Sequence, residues 1–227
     1  MIGITFALPS ESSDLRRRLL AIRKDHDLLF GKIDDRDVAI VHTGVGEKHC
    51  QARLEFLLHT ARPRLVISSG FAGAVTNELR SGDLILAQNF SDQQLLARAS
   101  GIVGESRTVK LFTASTIVDS IEERNRIALQ SGAAAVEMET GAIANVCNAH
   151  GVPLLSLRAI SDSPAEPFPA PMSILFDVKT QETDLRKLFG YIITGPTRIV
   201  RLLHFFQQIR HARKVLAEAL ISLIRQI

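Results

Sequence analysis

Three carboxylates in this chain could do chemistry together: Glu137 and Glu139, separated only by Met138, and Asp162 further on. A carboxyl group in a partly dry setting can lend a proton to a leaving group, and a carboxylate can accept from two neighbouring hydroxyls at once. Ala133 to Val136 is a short apolar run. The two glutamates follow it, just before a helical pattern in which Ile143, Val146 and Cys147 recur at spacings of three and four. They therefore stand at a strand-to-helix junction. Acids in a first helical turn are favoured by the exposed N–H groups and the dipole, so helix initiation alone would account for Glu137 and Glu139.

The elements that must position these groups are legible nearby. The helix should stop near His150-Gly151, with Gly151 just past the cap and Pro153 blocking continuation. Val152 to Ile160 then reads as a strand, apolar except for Ser156 and Arg158, as suits a parallel sheet covered on both faces. Asp162 falls just past its end. In open α/β sheets ligands bind at the carboxyl ends of strands, so Glu137, Glu139 and Asp162 are predicted at one sheet edge.

The blocks Val136-Glu-Met-Glu139, Val152-Pro153 and Arg158-Ala-Ile-Ser-Asp162 carry a resemblance to the nucleoside phosphorylase/nucleosidase superfamily. The chain most resembles the methylthioadenosine/S-adenosylhomocysteine nucleosidase branch, over roughly residues 1 to 164. That resemblance implies a three-layer α/β/α fold around a central twisted mixed sheet. It implies cleavage of a purine N-ribosidic bond through an oxocarbenium-like transition state, with Asp162 as general acid at the purine N7. Glu139 would accept from the ribose 2′- and 3′-hydroxyls, Met138 would pack on the sugar, and Glu137 would lend hydrogen-bonding support. Glu11 would hold and deprotonate the attacking water, with Arg158 anchoring that water or Glu11. Gly70, Phe71, Ser161, Ile117 and Val118 are the other expected substrate contacts. No metal and no organic cofactor is expected.

Read without the resemblance, Glu11 is a solvated acid in the turn after a first strand, Ile2 to Leu8. Arg158, a lone cation in an apolar strand, is costly unless paired, and an ion pair would satisfy it. The sequence also departs from the family pattern. Phosphorolytic relatives use an Arg where Ser68 stands and a Ser where Phe71 stands to hold phosphate; neither is present, which favours water as nucleophile. Where the family commonly stacks an aromatic on the base, Ile117 offers an aliphatic wall.

With 227 residues, 46% hydrophobic and 22% charged, the chain reads as one α/β domain, residues 1–227, with a substantial core. The N-terminus lacks a positive segment before its short apolar run, so no signal peptide is expected, and no run of 18 apolar residues suggests a membrane span. Cys50 and Cys147 read as buried hydrophobes rather than a disulfide, and the protein is expected in the cytoplasm.

In chain order, Ser12 or Ser13 is expected to cap a helix containing Leu15, Leu19 and Ile22, with Arg16-Arg17-Arg18 on its solvated face. A hairpin is expected about Asp34-Asp35, then a helix from Glu47 to Thr60. Gly44-x-Gly46 lacks the third glycine of a dinucleotide loop, His49 standing there, so no such cofactor is expected; His42 and His49 read as polar residues at element ends. Leu65 to Ser69 is a buried strand with Gly70-Phe-Ala-Gly73 as a turn, Ser81-Gly-Asp83 a turn before the strand Leu84 to Ala87. Residues 88–108 read as an irregular excursion, and a helix is expected from Asp119 to Gln130.

Residues 163–227 form a Pro-rich loop, with Pro164, Pro167, Pro169 and Pro171, and a basic helical extension. Residues 186–227 hold eight Lys/Arg against Glu218 alone, in a chain whose net charge is only +3. From Thr197 on, Ile199, Leu202, Leu203, Phe206, Ile209, Leu216, Leu220, Leu223 and Ile227 recur near a period of 3.6. Two readings stand: the stripe packs on the sheet or a partner subunit, or it lies on a membrane surface, as cationic amphipathic helices do. The tail, through Leu185-Arg-Lys-Leu188, Gly195-Pro196 and the Leu/Arg-rich helix, resembles the hopanoid-biosynthesis-associated nucleosidases, which implies an adenosyl-lipid substrate and peripheral contact with the inner face of the membrane. The alternatives are a methylthioadenosine/S-adenosylhomocysteine nucleosidase, a phosphate-dependent phosphorylase, or a catalytically silent nucleoside binder. A homodimer or higher homo-oligomer is expected, and no nucleic acid.

Overall fold

The computed structural model describes residues 1–44, 47–167 and 196–227. The turn residue Gly46, Pro169, Pro171, the Leu185 to Leu188 segment and Gly195 lie outside the described residues. The elements in order are β1 (Ile2–Phe6), α1 (Ser13–Arg16), β2 (Leu20–Asp25), β3 (Leu28–Ile33), β4 (Arg36–His42), α2 (Glu47–Ala61), β5 (Val66–Ala74), β6 (Leu84–Ala87), α3 (Gln93–Ile102), β7 (Arg107–Val109), β8 (Leu111–Thr113), α4 (Ile121–Ser131), β9 (Ala135–Glu137), α5 (Thr140–Ala149), β10 (Leu154–Asp162) and α6 (Pro196–Gln226).

The strands form one mixed sheet in the order β2-β3-β4-β1-β5-β10-β6-β7, with β9 pairing β5 and β8 away from that path. β1, β4, β5 and β10 run parallel to one another, whereas β10 meets β6, and β5 meets β9, antiparallel. All nine residues of β10 are buried, the pattern of a strand covered on both faces. One apolar cluster joins Leu155, Leu157 and Ala159 to Leu216, Leu220, Leu223 and Ile224 of α6; the other joins Leu154 and Val66 to Leu54 and Leu57 of α2 and Val146 and Cys147 of α5. The molecule is three layers deep, α/β/α.

Three local expectations are corrected. The N-terminal helix is one turn, Ser13–Arg16, and Leu20–Asp25 is an edge strand that pairs antiparallel with β3. Leu15 and Leu19 are buried as the periodicity required, but Ile22 is 55% exposed and gains nothing from a helical face. Backbone pairing decides the matter. Gly70 to Gly73 is not a turn but the continuation of β5 through Ala74, pairing with Arg158 to Ile160 and, after a register shift, with Asp162. Residues 88–108 contain α3, whose start is capped by Asp92 accepting from Gln94 N and Leu95 N at 3.0 Å; only Leu95 and Ala99 on it are buried, too few to mark a period.

In α6 burial differs along the helix. Its second half packs on the sheet, with Arg213 paired to Asp14 at 2.6 Å and Arg225 to Asp34 at 2.7 Å. Its first half leaves Leu203 and Phe206 exposed. Among the described residues no helix is long and apolar enough to cross a membrane.

Candidate active site

Register brings the acids together. β5 and β10 align Gly70 with Arg158 and Gly73 with Asp162, β9 aligns Val136 with Gly73, and β8 aligns Thr113 with Glu137. The strand ends surround a cavity of about 340 Å³, lined by Glu11, Phe71, Ile117, Val118, Glu137, Met138, Glu139, Ser161 and Asp162. Gly70 and Arg158 stand behind that lining. Phe205, Phe206 and Ile209 of α6 complete the wall.

Glu11 is buried, and its carboxylate accepts from Leu8 N and Phe71 N, each at 3.0 Å. Desolvation pushes its pKa up; the backbone donors and the Arg158 charge partly oppose this. The approach is so close that a Cβ on Gly70 would fall 2.9 Å from Glu11 Oε1, and Gly70 also adopts φ of 146°. Glycine is required there on both grounds.

Glu137 and Glu139 differ despite their proximity. The Glu137 carboxylate accepts from Glu139 N at 3.0 Å, from Thr140 N at 2.9 and 3.1 Å and from Thr113 Oγ1 at 2.8 Å, so it caps α5. It also receives Arg158 Nη2 at 3.2 Å. Helix initiation is thus its principal occupation. Glu139, at the N-cap position, makes no capping bond with its side chain. Burial, then the charges of Glu137 and Glu11, raise its pKa to about 8 against the opposing pull of Arg158.

Arg158 Nη2 also donates to Ser68 Oγ at 2.7 Å and Thr140 Oγ1 at 2.8 Å. Its Nε and Nη1 are buried with no partner among the described residues. Buried donors of that kind ask for an acceptor, and a water or ligand oxygen beside Glu11 would supply it.

Asp162 lines the same cavity in different company. Ser161 Oγ donates to its Oδ1 at 2.5 Å, and Arg124 Nη2 donates to its Oδ2 in an ion pair whose members are each only 1% exposed. Arg124 Nη1 holds Ala74 O at 2.6 Å, and Nη2 holds Val118 O at 3.3 Å. The guanidinium thereby ties the end of β5, the Ile117-Val118 wall and the acid together. Sequence reasoning passes over Arg124: it falls in the helix expected from Asp119 to Gln130, and nothing in the spacing separates it from Arg126. The α6 contribution had a signal, since Phe206 and Ile209 belong to the apolar stripe.

Fold and cavity define an α/β protein of the open mixed-sheet type whose acidic ligand site lies at the carboxyl ends of its strands. The sequence model of the Phosphorylase superfamily matches residues 1–109 and 93–194, and the chain belongs to that family. It is 26% identical over 196 residues to the 5′-methylthioadenosine/S-adenosylhomocysteine nucleosidase of Staphylococcus aureus (strain MRSA252), covering 71% of this chain and 86% of the relative. Among solved structures, the 5′-methylthioadenosine/S-adenosylhomocysteine nucleosidase from S. pneumoniae with a transition-state inhibitor superposes with a TM-score of 0.75 at 19% identity, covering 99% of this chain and 98% of that one. The futalosine hydrolase of Helicobacter pylori strain 26695 gives 0.73 at 18% identity, with 100% and 97% covered. The three-layer fold implied by the sequence resemblance is the fold found.

Proposed function

We propose that the protein is a purine nucleosidase that hydrolyses the N-glycosidic bond of a 5′-modified adenosine and releases adenine. The observation that carries this reading is the convergence on one largely apolar cavity of Asp162, clasped by Arg124, with Glu11 and Glu139. Asp162 in its protonated form donates to the purine N7 as the C1′–N9 bond breaks, so the base leaves neutral. Arg124 and Ser161 fix the plane of that carboxyl, and Arg124 stabilises the carboxylate left behind. Glu139, once ionised, accepts from the ribose hydroxyls; a substrate hydroxyl pair replaces the solvation it lacks. Water adds to C1′ from the other face and its proton passes to Glu11, with Nε and Nη1 of Arg158 available to hold the oxygen.

Hydrolysis is favoured over phosphorolysis by the same geometry. Glu11 would repel a phosphate dianion, Ser68 Oγ is already engaged by Arg158, and Phe71 presents a ring where a hydroxyl would be needed.

The finer reading is an adenosyl-lipid substrate. Phe71, Phe205, Phe206 and Ile209 give the cavity an apolar side suited to a hydrocarbon on the 5′ carbon, and Phe206, half-exposed, carries that side to the surface. Leu203 and Phe206, with Arg210, Lys214, Arg17 and Arg18 beyond, form a strip suited to an anionic membrane surface. Base release from an adenosyl-lipid and from methylthioadenosine in phosphate-free buffer tests both levels. Adenine from the lipid alone supports the finer reading, adenine mainly from methylthioadenosine removes it, and release only on adding phosphate overturns hydrolysis. Release from neither substrate under any condition leaves the silent binder.

A further inference from the structure

Outside the cavity one group of side chains has the composition of a metal centre. Glu55 and His59 are one turn apart on α2, and His150 caps the C-terminus of α5, which packs against α2. Glu55 Oε2 lies 2.7 Å from His150 Nε2 and 3.6 Å from His59 Nε2, and one ligand atom of each residue lies within 4.8 Å of the others. The imidazole centroids are 5.6 Å apart with planes at 88°, so the rings converge on the carboxylate rather than stack.

We propose that Glu55, His59 and His150 bind a divalent first-row transition ion of the zinc class, which clips α2 to α5. Two imidazoles and one carboxylate are the donor set such ions take, with water at the remaining position, whereas magnesium and calcium prefer all-oxygen shells. Zinc bonds of about 2.0–2.2 Å in tetrahedral array set neighbouring ligand atoms about 3.3 Å apart. The largest separation present, 4.8 Å at most, must therefore close by about 1.5 Å. That is within a rotamer adjustment of His59, whose side chain is 74% exposed. Glu55 already draws both rings inward, so the ion takes the place of the two Glu55–histidine contacts and needs no backbone shift. α5 begins at the cavity and His150 ends it about 15 Å away, so the clip takes no part in the chemistry proposed above.

The test is titration of the untagged full chain with zinc chloride, followed by calorimetry and by thermal unfolding, with magnesium chloride in parallel. One equivalent of zinc is expected to bind, with Tm rising about 5 °C at a zinc concentration a hundredfold above Kd, and no response to magnesium. His59→Gln and His150→Gln, both surface changes, should each weaken binding by more than about tenfold. No uptake by the parent chain, uptake that survives the double variant, or an equal response to magnesium would overturn the proposal.

Discussion

The cavity holds carboxylates of the same kind in two different electrostatic conditions. Asp162 is clasped by Arg124 and Ser161. Glu11 and Glu139 are buried near one another and near Glu137, and the cation behind them, Arg158, spends its Nη2 on Glu137, Ser68 and Thr140. Both glutamates are consequently pushed toward the protonated form. Two buried carboxylates that share one guanidinium, itself engaged elsewhere, cannot both sit ionised. The site is therefore strained at these glutamates. In the reaction proposed above, substrate hydroxyls and water would relieve them.

Removing the Asp162 carboxyl should have the largest effect. Asp162→Asn is expected to lower turnover on an adenine nucleoside by about 10²–10⁴-fold with little change in KM, measured as steady-state base release. Equal activity in that variant would dissolve the distinction between Asp162 and the glutamates. Arg124→Leu strands a buried carboxylate and should cost about 3–5 kcal/mol of stability by denaturant unfolding. Adding Asp162→Asn to it should recover part of that loss; strictly additive losses would show that the pair is not a unit.

The buried Glu139 makes stability depend on pH. Glu139 titrates near 4.5 unfolded and near 8 folded, so between those values the folded state binds the extra proton. Stability should therefore fall as pH rises from about 4.5 to about 8, by of order 1–3 kcal/mol, and Glu139→Gln should flatten the curve. An unchanged slope would place the destabilising charge elsewhere. The smallest effect concerns α6. Phe206→Ala, half-exposed, should move stability by less than about 0.5 kcal/mol while lowering turnover on an adenosyl-lipid relative to methylthioadenosine. Equal losses on both substrates would count against a 5′-lipid subsite.

Much of this site is legible in the chain itself. β9, α5 and β10 follow from an apolar run, a helical period and a second apolar run, α5 being closed by Gly151 and Pro153, and the acids fall at the junctions. The elements whose form local pattern does not reveal share a physical cause. Residues 20–25 and 93–102 bury little, so their periodicity is faint, and backbone pairing or a cap decides their form. Gly70 to Gly73 looks like a turn because glycine permits one. It is strand because β10 pairs along it, with one register shift between Ile160 and Asp162, and Glu11 crowds any side chain at Gly70 while Asp162 leaves little space for one at Gly73.

The amino-acid sequence by itself determined the layered α/β architecture, the carboxyl edge where the acids gather, and their membership in a family motif. Those depend on local periodicity and on spacing along the chain, which any segment carries with it. Only the tertiary structure decided which acid is paired, which is strained and which merely caps a helix. Those outcomes depend on charges and donors within a few ångströms that come from distant segments: Arg124 reaches Asp162 from 38 residues away, and Phe71 N reaches Glu11 from 60. At such range the dielectric and the hydrogen-bond partners are products of packing, and the sequence spacing of Glu137, Glu139 and Asp162 could not assign them.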